Sequence, residues 1–137
     1  MPRTKFPVEI LTPEGEVFKE EIEMISTRTT VGLIGILAHH EPLLATLEPT
    51  ELRLYRSDTD IVRFAQGEGY LQVTKDRTLL LVQDAVPPES LDATELRERL
   101  QEAESEEHTA GDASEPGRQA AREAKRLRAF LRIAEGG

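Results

Sequence analysis

The sequence contains no cysteine and no tryptophan, and only four phenylalanines and two tyrosines occur among its 137 residues. Without cysteine, the chain can form no disulfide, no thiolate metal site and no cysteine nucleophile. So few aromatic side chains leave little surface on which nucleic acid bases could stack. No run approaches the ~18 apolar residues of a membrane span, and the N-terminus lacks the apolar stretch of a secretory signal. We therefore expect a cytosolic protein that does not insert into a membrane.

Charge is abundant but unevenly distributed along the chain. The net charge of −9 argues against a protein that binds nucleic acid as a whole. Residues 118–132 hold six Lys or Arg and one Glu, whereas residues 1–117 hold eleven Lys or Arg and twenty-four Asp or Glu. The chain is therefore an acidic body with a basic segment near its C-terminus, which indicates protein partners.

The first part of the chain, residues 1–87, has the pattern of antiparallel β-structure. Short apolar runs are separated by turn signals roughly every ten residues. Within several runs apolar residues alternate, as Val8 with Ile10 and Leu79 with Leu81, which is typical of strands that bury one face. No helical period lies between the runs, so βαβ units are not expected. The prediction is an antiparallel β-sandwich or flattened barrel. Its turns are expected at TPEG (12–15), SDTD (57–60) and TKDR (74–77).

The period becomes helical after the two prolines at 87 and 88, which makes the predicted fold class α+β. Asp92 can cap a helix, with Glu95 at the capping-box position. The segment 108–117 contains Gly, Asp, Ser and Pro and should end this first helix. A second helix is predicted from about residue 118 to residue 134. Residues 88–137 are thus expected to form an antiparallel two-helix hairpin.

The second predicted helix has an apolar seam and a basic face. The seam consists of Ala120, Ala124, Leu127, Leu131 and Ala134, with Phe130 beside it. The basic face consists of Arg118, Arg122, Lys125, Arg128 and Arg132. A seam made largely of alanine buries little apolar area, while ordering each residue costs about 1–2 kcal/mol of backbone entropy. The hairpin should therefore dock on the sandwich or on another protein, and it can change position.

The basic face has two interpretations that the sequence leaves open. It is either a solvated face or a face that docks on an acidic protein surface, which can be the chain's own first helix or a partner. The second interpretation would also fit a free-standing adaptor whose basic helix binds acidic partners.

Two adjacent histidines, His39 and His40, are followed by Glu41 and suggest a small metal-dependent enzyme as an alternative. Adjacent side chains in a strand point to opposite faces, and a zinc ion would need a third protein ligand. His108 lies far along the chain, and no H-E-x-x-H spacing occurs. There is also no G-x-S-x-G nucleophile motif. We expect no catalytic residue, no metal and no cofactor.

Residues 31–44, VGLIGILAHHEPLL, resemble the most distinctive stretch of the epsilon subunit of bacterial F-type ATP synthases, G-x-L-G-I-L-P-G-H-x-P-L-L. Residues 66–73, QGEGYLQV, are similar to the family's S-G-G-F-L-E-V segment, and residues 8–15, VEILTPEG, are similar to its first strand and turn. The order, the spacing and the helical tail all match, so the resemblance covers essentially the whole chain.

The resemblance implies a non-catalytic rotor subunit of the central stalk. Its sandwich would couple proton-driven rotation of the c-ring to the gamma subunit. Its helices would reach into the alpha/beta catalytic hexamer and inhibit ATP hydrolysis. The subunit would be peripheral on the cytoplasmic face of the cell membrane and monomeric when isolated. The residues implied at the c-ring and gamma interface are Val31, Leu33, His39, His40, Glu41 and Pro42. Those implied in the regulatory arm are Arg118, Arg122, Lys125, Arg126, Arg128 and Arg132.

Two departures from the family pattern concern the interface. The family's Pro-Gly before its histidine is replaced by Ala38 and His39, so only His40 matches the family's histidine. Leu33 stands between two glycines where an acidic residue is often found, which affects the charged part of the contact with the ring.

A third departure concerns the [I/L]-D-x-x-R-A motif through which some members bind ATP. Leu91 and Asp92 match that motif, but Glu95 and Leu96 replace its Arg and Ala. Arg126 matches a further basic residue of that site. Because a phosphate would meet the carboxylate of Glu95, the sequence predicts weak or absent ATP binding.

Overall fold

A computed structural model describes residues 3–136, and the chain divides into two compact units, Met1–Pro87 and Pro88–Gly137. The first unit is a β-sandwich and the second is a pair of helices, which confirms the predicted α+β class. The strands are β1 (Phe6–Thr12), β2 (Gly15–Ile22), β3 (Met24–Thr29), β4 (Gly32–Leu37), β5 (Leu43–Leu47), β6 (Thr50–Tyr55), β7 (Ile61–Gln66), β8 (Gly69–Val73), β9 (Thr78–Val82) and β10 (Ala85–Val86). A short 3₁₀ turn, Pro88–Ser90, precedes α1 (Ala93–Ala110) and α2 (Glu115–Ala134).

The strands are hydrogen-bonded in the order β10-β7-β6-β3-β5-β8-β9-β1-β2, with β4 on the other side of β3. The predicted turns at 12–15, 57–60 and 74–77 join β1 to β2, β6 to β7 and β8 to β9. One pairing departs from the antiparallel prediction, because β1 and β9 are parallel. A parallel pair needs a long connection between its strands, and the seven intervening strands supply it when the sheet wraps around the core.

The core of the sandwich is formed by residues that alternate along the strands. Val8 and Ile10 are buried on β1 as predicted. On β9, however, Leu80 and Val82 belong to the core cluster, and Leu79 and Leu81 lie on the other face. Because residues 79–82 are all apolar, the pattern of apolar and polar residues does not predict which face of this strand is buried. The choice depends on the pairing with β8, which places Leu80 beside buried Leu71.

Both helices start with a side-chain cap. Asp92 Oδ1 accepts hydrogen bonds from the backbone nitrogens of Thr94, at 3.0 Å, and Glu95, at 3.3 Å, as expected for an N-cap. Ser114 Oγ accepts from the backbone nitrogen of Gly117 at 3.0 Å. Consequently α2 begins at Glu115, three residues before the predicted start at 118. The proline at 116 does not break this helix, because proline is tolerated in the first helical turn.

The first helix is also longer than predicted, since α1 continues through 108–110 and ends at Gly111, whose φ of 84° suits glycine. The seam between the helices buries Ala120, Ala124 and Leu127 as predicted. Phe130, which was expected beside the seam, is only 2% exposed. The last two predicted seam residues, Leu131 and Ala134, are only partly buried.

Candidate interaction surfaces

The residues predicted at the interface lie at the two ends of β4. Val31 forms the tip of the β3–β4 turn and is 95% exposed, and the neighbouring Leu33 is 72% exposed. His39, His40, Glu41 and Pro42 lie instead in the turn that joins β4 to β5. Because β4 has six residues, its ends are roughly 17 Å apart at about 3.3 Å per residue. The structure therefore does not bring the predicted residues together into one site.

The turn at 38–42 has an unusual backbone at His39. Its φ is 65°, and among the described residues it is the only non-glycine residue with a positive φ. This left-handed region favours glycine, because a Cβ atom crowds the following carbonyl oxygen. His39 thus occupies the glycine position of the family pattern and retains a glycine-like conformation. The backbone nitrogen of His40 closes the turn by donating to the Leu37 oxygen at 3.3 Å.

A groove of about 440 Å³ lies beside this turn. Its walls are the 39–42 turn, the β8–β9 turn at 74–77 and the start of β1. The Nδ1 atom of His40 is 2.7 Å from the backbone oxygen of Glu41, the geometry of an N–H donated to a carbonyl. On the opposite wall, Arg77 forms an ion pair with Glu9 at 3.3 Å. Within residues 3–136, no three His, Asp or Glu side chains are grouped so that they could hold a metal ion.

An apolar patch on the outer face of β5, β8 and β9 was not predicted from the sequence. Leu44, Tyr70 and Leu81 are 73%, 58% and 44% exposed on these neighbouring strands. Tyr70 lies directly opposite Thr46 on one side and Leu81 on the other. We call Leu44, Tyr70 and Leu81 the sheet patch. Exposed apolar side chains grouped in this way mark surfaces that bind other proteins.

A signal for the sheet patch does exist in the sequence. β5 begins with two leucines, 43 and 44, β8 contains tyrosine and leucine at 70 and 71, and β9 is apolar over 79–82. Strands with consecutive apolar residues are apolar on both faces, whereas a strand wetted on one face alternates with polar residues. The consecutive apolar residues therefore place some apolar side chains on the outer face, where they lie among the polar side chains of Thr46 and Gln72.

The basic residues of the predicted arm are largely exposed but engaged with nearby carboxylates. Arg118 and Arg122 lie 2.9 Å and 3.3 Å from Glu115. Hydrogen bonds from Arg118 and then Arg122 hold the pKa of the Glu115 carboxyl below its ordinary value. Arg128 lies 2.9 Å from Glu104 on α1. The basic face is thus partly neutralised by acidic side chains of its own hairpin.

The ion pairs between the helices run in both directions. Arg128 of α2 pairs with an acidic residue of α1, but Arg99 of α1 pairs with Glu123 of α2 at 3.1 Å. Arg97 of α1 likewise lies 3.1 Å from Glu135, just after α2. The hairpin therefore does not simply join an acidic helix to a basic one.

The residues that match the ATP motif have structural roles in the hairpin. Asp92 caps α1, as described above. Arg126 donates from Nη2 and Nε to Glu123 at 2.8 Å and 3.1 Å, and its guanidinium lies 5.0 Å from the centre of the Phe130 ring. Arg126 is the main cause that lowers the pKa of Glu123, against a smaller opposing effect of burial. The cation that a phosphate would need is thus paired with a carboxylate and stacked on an aromatic ring.

Comparison with known proteins identifies relatives over the whole chain. The family model described as ATP synthase, Delta/Epsilon chain, beta-sandwich domain matches residues 5–88. ATP synthase epsilon chain 2 of Syntrophotalea carbinolica is 34% identical over 135 residues, which cover 97% of this chain and 94% of that protein. The ATP synthase epsilon chain of Priestia megaterium is 38% identical over 98 residues, 71% of this chain and 72% of that protein.

A solved structure shares the fold. A chain in the mitochondrial ATP synthase of Euglena gracilis, solved as an assembly of OSCP, F1 and c-ring, matches with a TM-score of 0.79 and 20% identity. The match covers 92% of this chain and 79% of that one. No helix within residues 3–136 is long and apolar enough to cross a membrane.

Proposed function

Because the chain belongs to the delta/epsilon chain family of ATP synthases, we propose that it is a non-catalytic central-stalk subunit that couples rotation of the c-ring to the gamma subunit. The observation that carries the proposal is the similarity to a bacterial epsilon chain over 97% of this sequence, including the helices. As part of that complex, the subunit is peripheral on the cytoplasmic face of the membrane.

Two separate surfaces of the sandwich support a subunit that joins two partners. The 39–42 turn leads directly into β5, which carries Leu44 of the sheet patch. The turn and the patch therefore form one continuous surface, and its aromatic and aliphatic side chains are typical of the core of a protein interface. We assign this surface to gamma. The protruding tip formed by Val31 and Leu33 lies at the other end of β4 and is assigned to the loops of the c-ring.

Binding measurements with charged variants test the two assignments. Leu44→Asp combined with Tyr70→Asp should weaken binding of the purified chain to gamma by tenfold or more. A loss of this size is expected when one energetically important interface residue is removed. Val31→Asp combined with Leu33→Asp should instead weaken binding to the detergent-solubilised c-ring. Thr59→Asp, at an exposed position in the β6–β7 turn, serves as the matched control. If the wild-type chain binds neither gamma nor the c-ring, the proposed function is wrong.

The helical hairpin is proposed to restrain ATP hydrolysis by contact with the alpha/beta hexamer. Its support is the exposed face of α2 with Arg118, Arg122, Lys125, Arg128 and Arg132, which can bind acidic surfaces even though part of it is paired within the hairpin. A chain that ends after Pro87 should assemble into the complex and raise its rate of ATP hydrolysis. An unchanged rate in a fully assembled complex would contradict the inhibitory role.

A further inference from the structure

The turn that joins α1 to α2 is held closed by specific contacts. Its sequence, GDASEPG (111–117), consists mainly of residues that are common in turns and loops. Ser114 Oγ accepts a hydrogen bond from the backbone nitrogen of Gly117 at 3.0 Å and donates one to the backbone oxygen of Ala110 at 3.0 Å. A Cβ atom at Gly117 would collide with the backbone oxygen of Gly111. The end of α1 and the start of α2 therefore approach each other closely, and the turn fixes the antiparallel arrangement of the helices.

The seam between the helices consists largely of alanine. Ala103 of α1 and Ala120 and Ala124 of α2 are 6%, 6% and 0% exposed. If the helices separated, these side chains and that of Leu127 would lose the contacts that they now make across the seam. A partner that covered one separated helix would regain little, because an alanine side chain buries little apolar area. The seam therefore favours helices that stay paired over helices that bind a partner separately.

Ion pairs join the helices at positions away from the turn. Arg97 and Glu135 lie 3.1 Å apart at the end remote from the turn, and Glu104 and Arg128 lie 2.9 Å apart near the middle. An exposed ion pair contributes little by itself, but these pairs connect the helices where the turn cannot. Both helices also belong to one compact unit, Pro88–Gly137. The hairpin is thus held together along its whole length.

The basic face of α2 is accessible while the helices are paired. Arg118 and Arg122 are exposed on the side of α2 opposite the seam. Both pair with Glu115, which belongs to the same helix, so separation of the helices would not release them. We propose that the hairpin acts on the alpha/beta hexamer with α1 and α2 still packed against each other, and that it moves as one body relative to the sandwich. This inference rests on the inhibitory role proposed above.

A disulfide across the seam tests the proposal. Ala103 is eight residues before Gly111 and Ala124 is seven residues after Gly117, so both lie roughly 10–12 Å from the turn along their helices. Ala103→Cys combined with Ala124→Cys introduces the only cysteines of the chain, and the disulfide prevents the helices from separating. The assembled complex should hydrolyse ATP equally slowly with this disulfide oxidised or reduced, and more slowly than a complex whose chain ends after Pro87. The reduced form of the same complex is the matched control.

If oxidation raises the rate to that of the truncated complex, the helices must separate in order to inhibit, and the proposal is wrong. A second measurement does not depend on the disulfide. Spin labels on Gln101→Cys and Gln119→Cys, at exposed positions of α1 and α2, should be equally far apart in the isolated chain and in the complex. A longer distance in the complex would overturn the proposal. If truncation after Pro87 leaves the rate unchanged, the inhibitory role fails, and the distance between the labels then decides by itself whether the helices stay paired.

Discussion

The conformation of His39 leads to a prediction in which a glycine stabilises the protein. A non-glycine residue in the left-handed region is destabilised by roughly 1–2 kcal/mol, although histidine tolerates it better than most residues. His39 has a φ of 65° and is exposed. Glycine would relieve this strain but would add about 0.5–1 kcal/mol of entropy to the unfolded chain. We expect His39→Gly to raise the free energy of unfolding by about 0.5 kcal/mol, and His39→Val to lower it by about 1–2 kcal/mol.

Glu41→Gly is the matched control for this prediction. Glu41 is in the same turn and exposed, but its φ is not positive. The substitution should therefore lower the free energy of unfolding by about 0.5–1 kcal/mol. Urea denaturation followed by circular dichroism can resolve the resulting difference of about 1–1.5 kcal/mol between the two glycine variants, provided that their m-values agree. Equal destabilisation by both glycines would show that His39 is not strained and would refute the argument.

Three further predictions concern the buried amide and the hairpin. Gln66 is fully buried, accepts from Thr27 Oγ1 at 2.7 Å and donates to the Glu48 backbone oxygen at 2.9 Å. Gln66→Ala should lower the free energy of unfolding by about 2–4 kcal/mol, whereas the same change at exposed Gln72 should have little effect in denaturation experiments. The pKa of Glu123 lies below its ordinary value of 4.5, so its contribution to stability is present above that value and is lost as the pH falls through the folded-state pKa. Glu123→Gln should reduce this acid-dependent loss of helix content, and an unchanged pH profile would count against the Glu123 ion pairs. Titration calorimetry of the isolated chain should detect no micromolar binding of ATP, because Asp92 and Arg126 are engaged in the hairpin, and a micromolar dissociation constant would contradict this assignment.

The features that could be predicted from the sequence are those with local causes. Alternation at Val8 and Ile10 indicated a strand because side chains in a strand point to opposite faces in turn. Asp92 indicated a helix start because its side chain reaches backbone nitrogens only two and three residues away. The resemblance of residues 31–44 to an ATP synthase epsilon subunit was confirmed by relatives that span the chain. These signals are contained within short segments and do not depend on which distant segment packs against them.

The features that were not predicted from the sequence depend on contacts between distant segments. The parallel pairing of β1 with β9 and the choice of Leu80 as the core residue of β9 follow from how the sheet wraps around its core. The amino-acid sequence by itself therefore determined the order and type of the elements, the cap of α1 and the family. Only the tertiary structure brought Tyr70 beside Leu81 and Gly35 beside Ser26. The physical reason is that strand periodicity sets where a side chain lies along its own strand, whereas its neighbours across the sheet are set by register, which many distant contacts decide together.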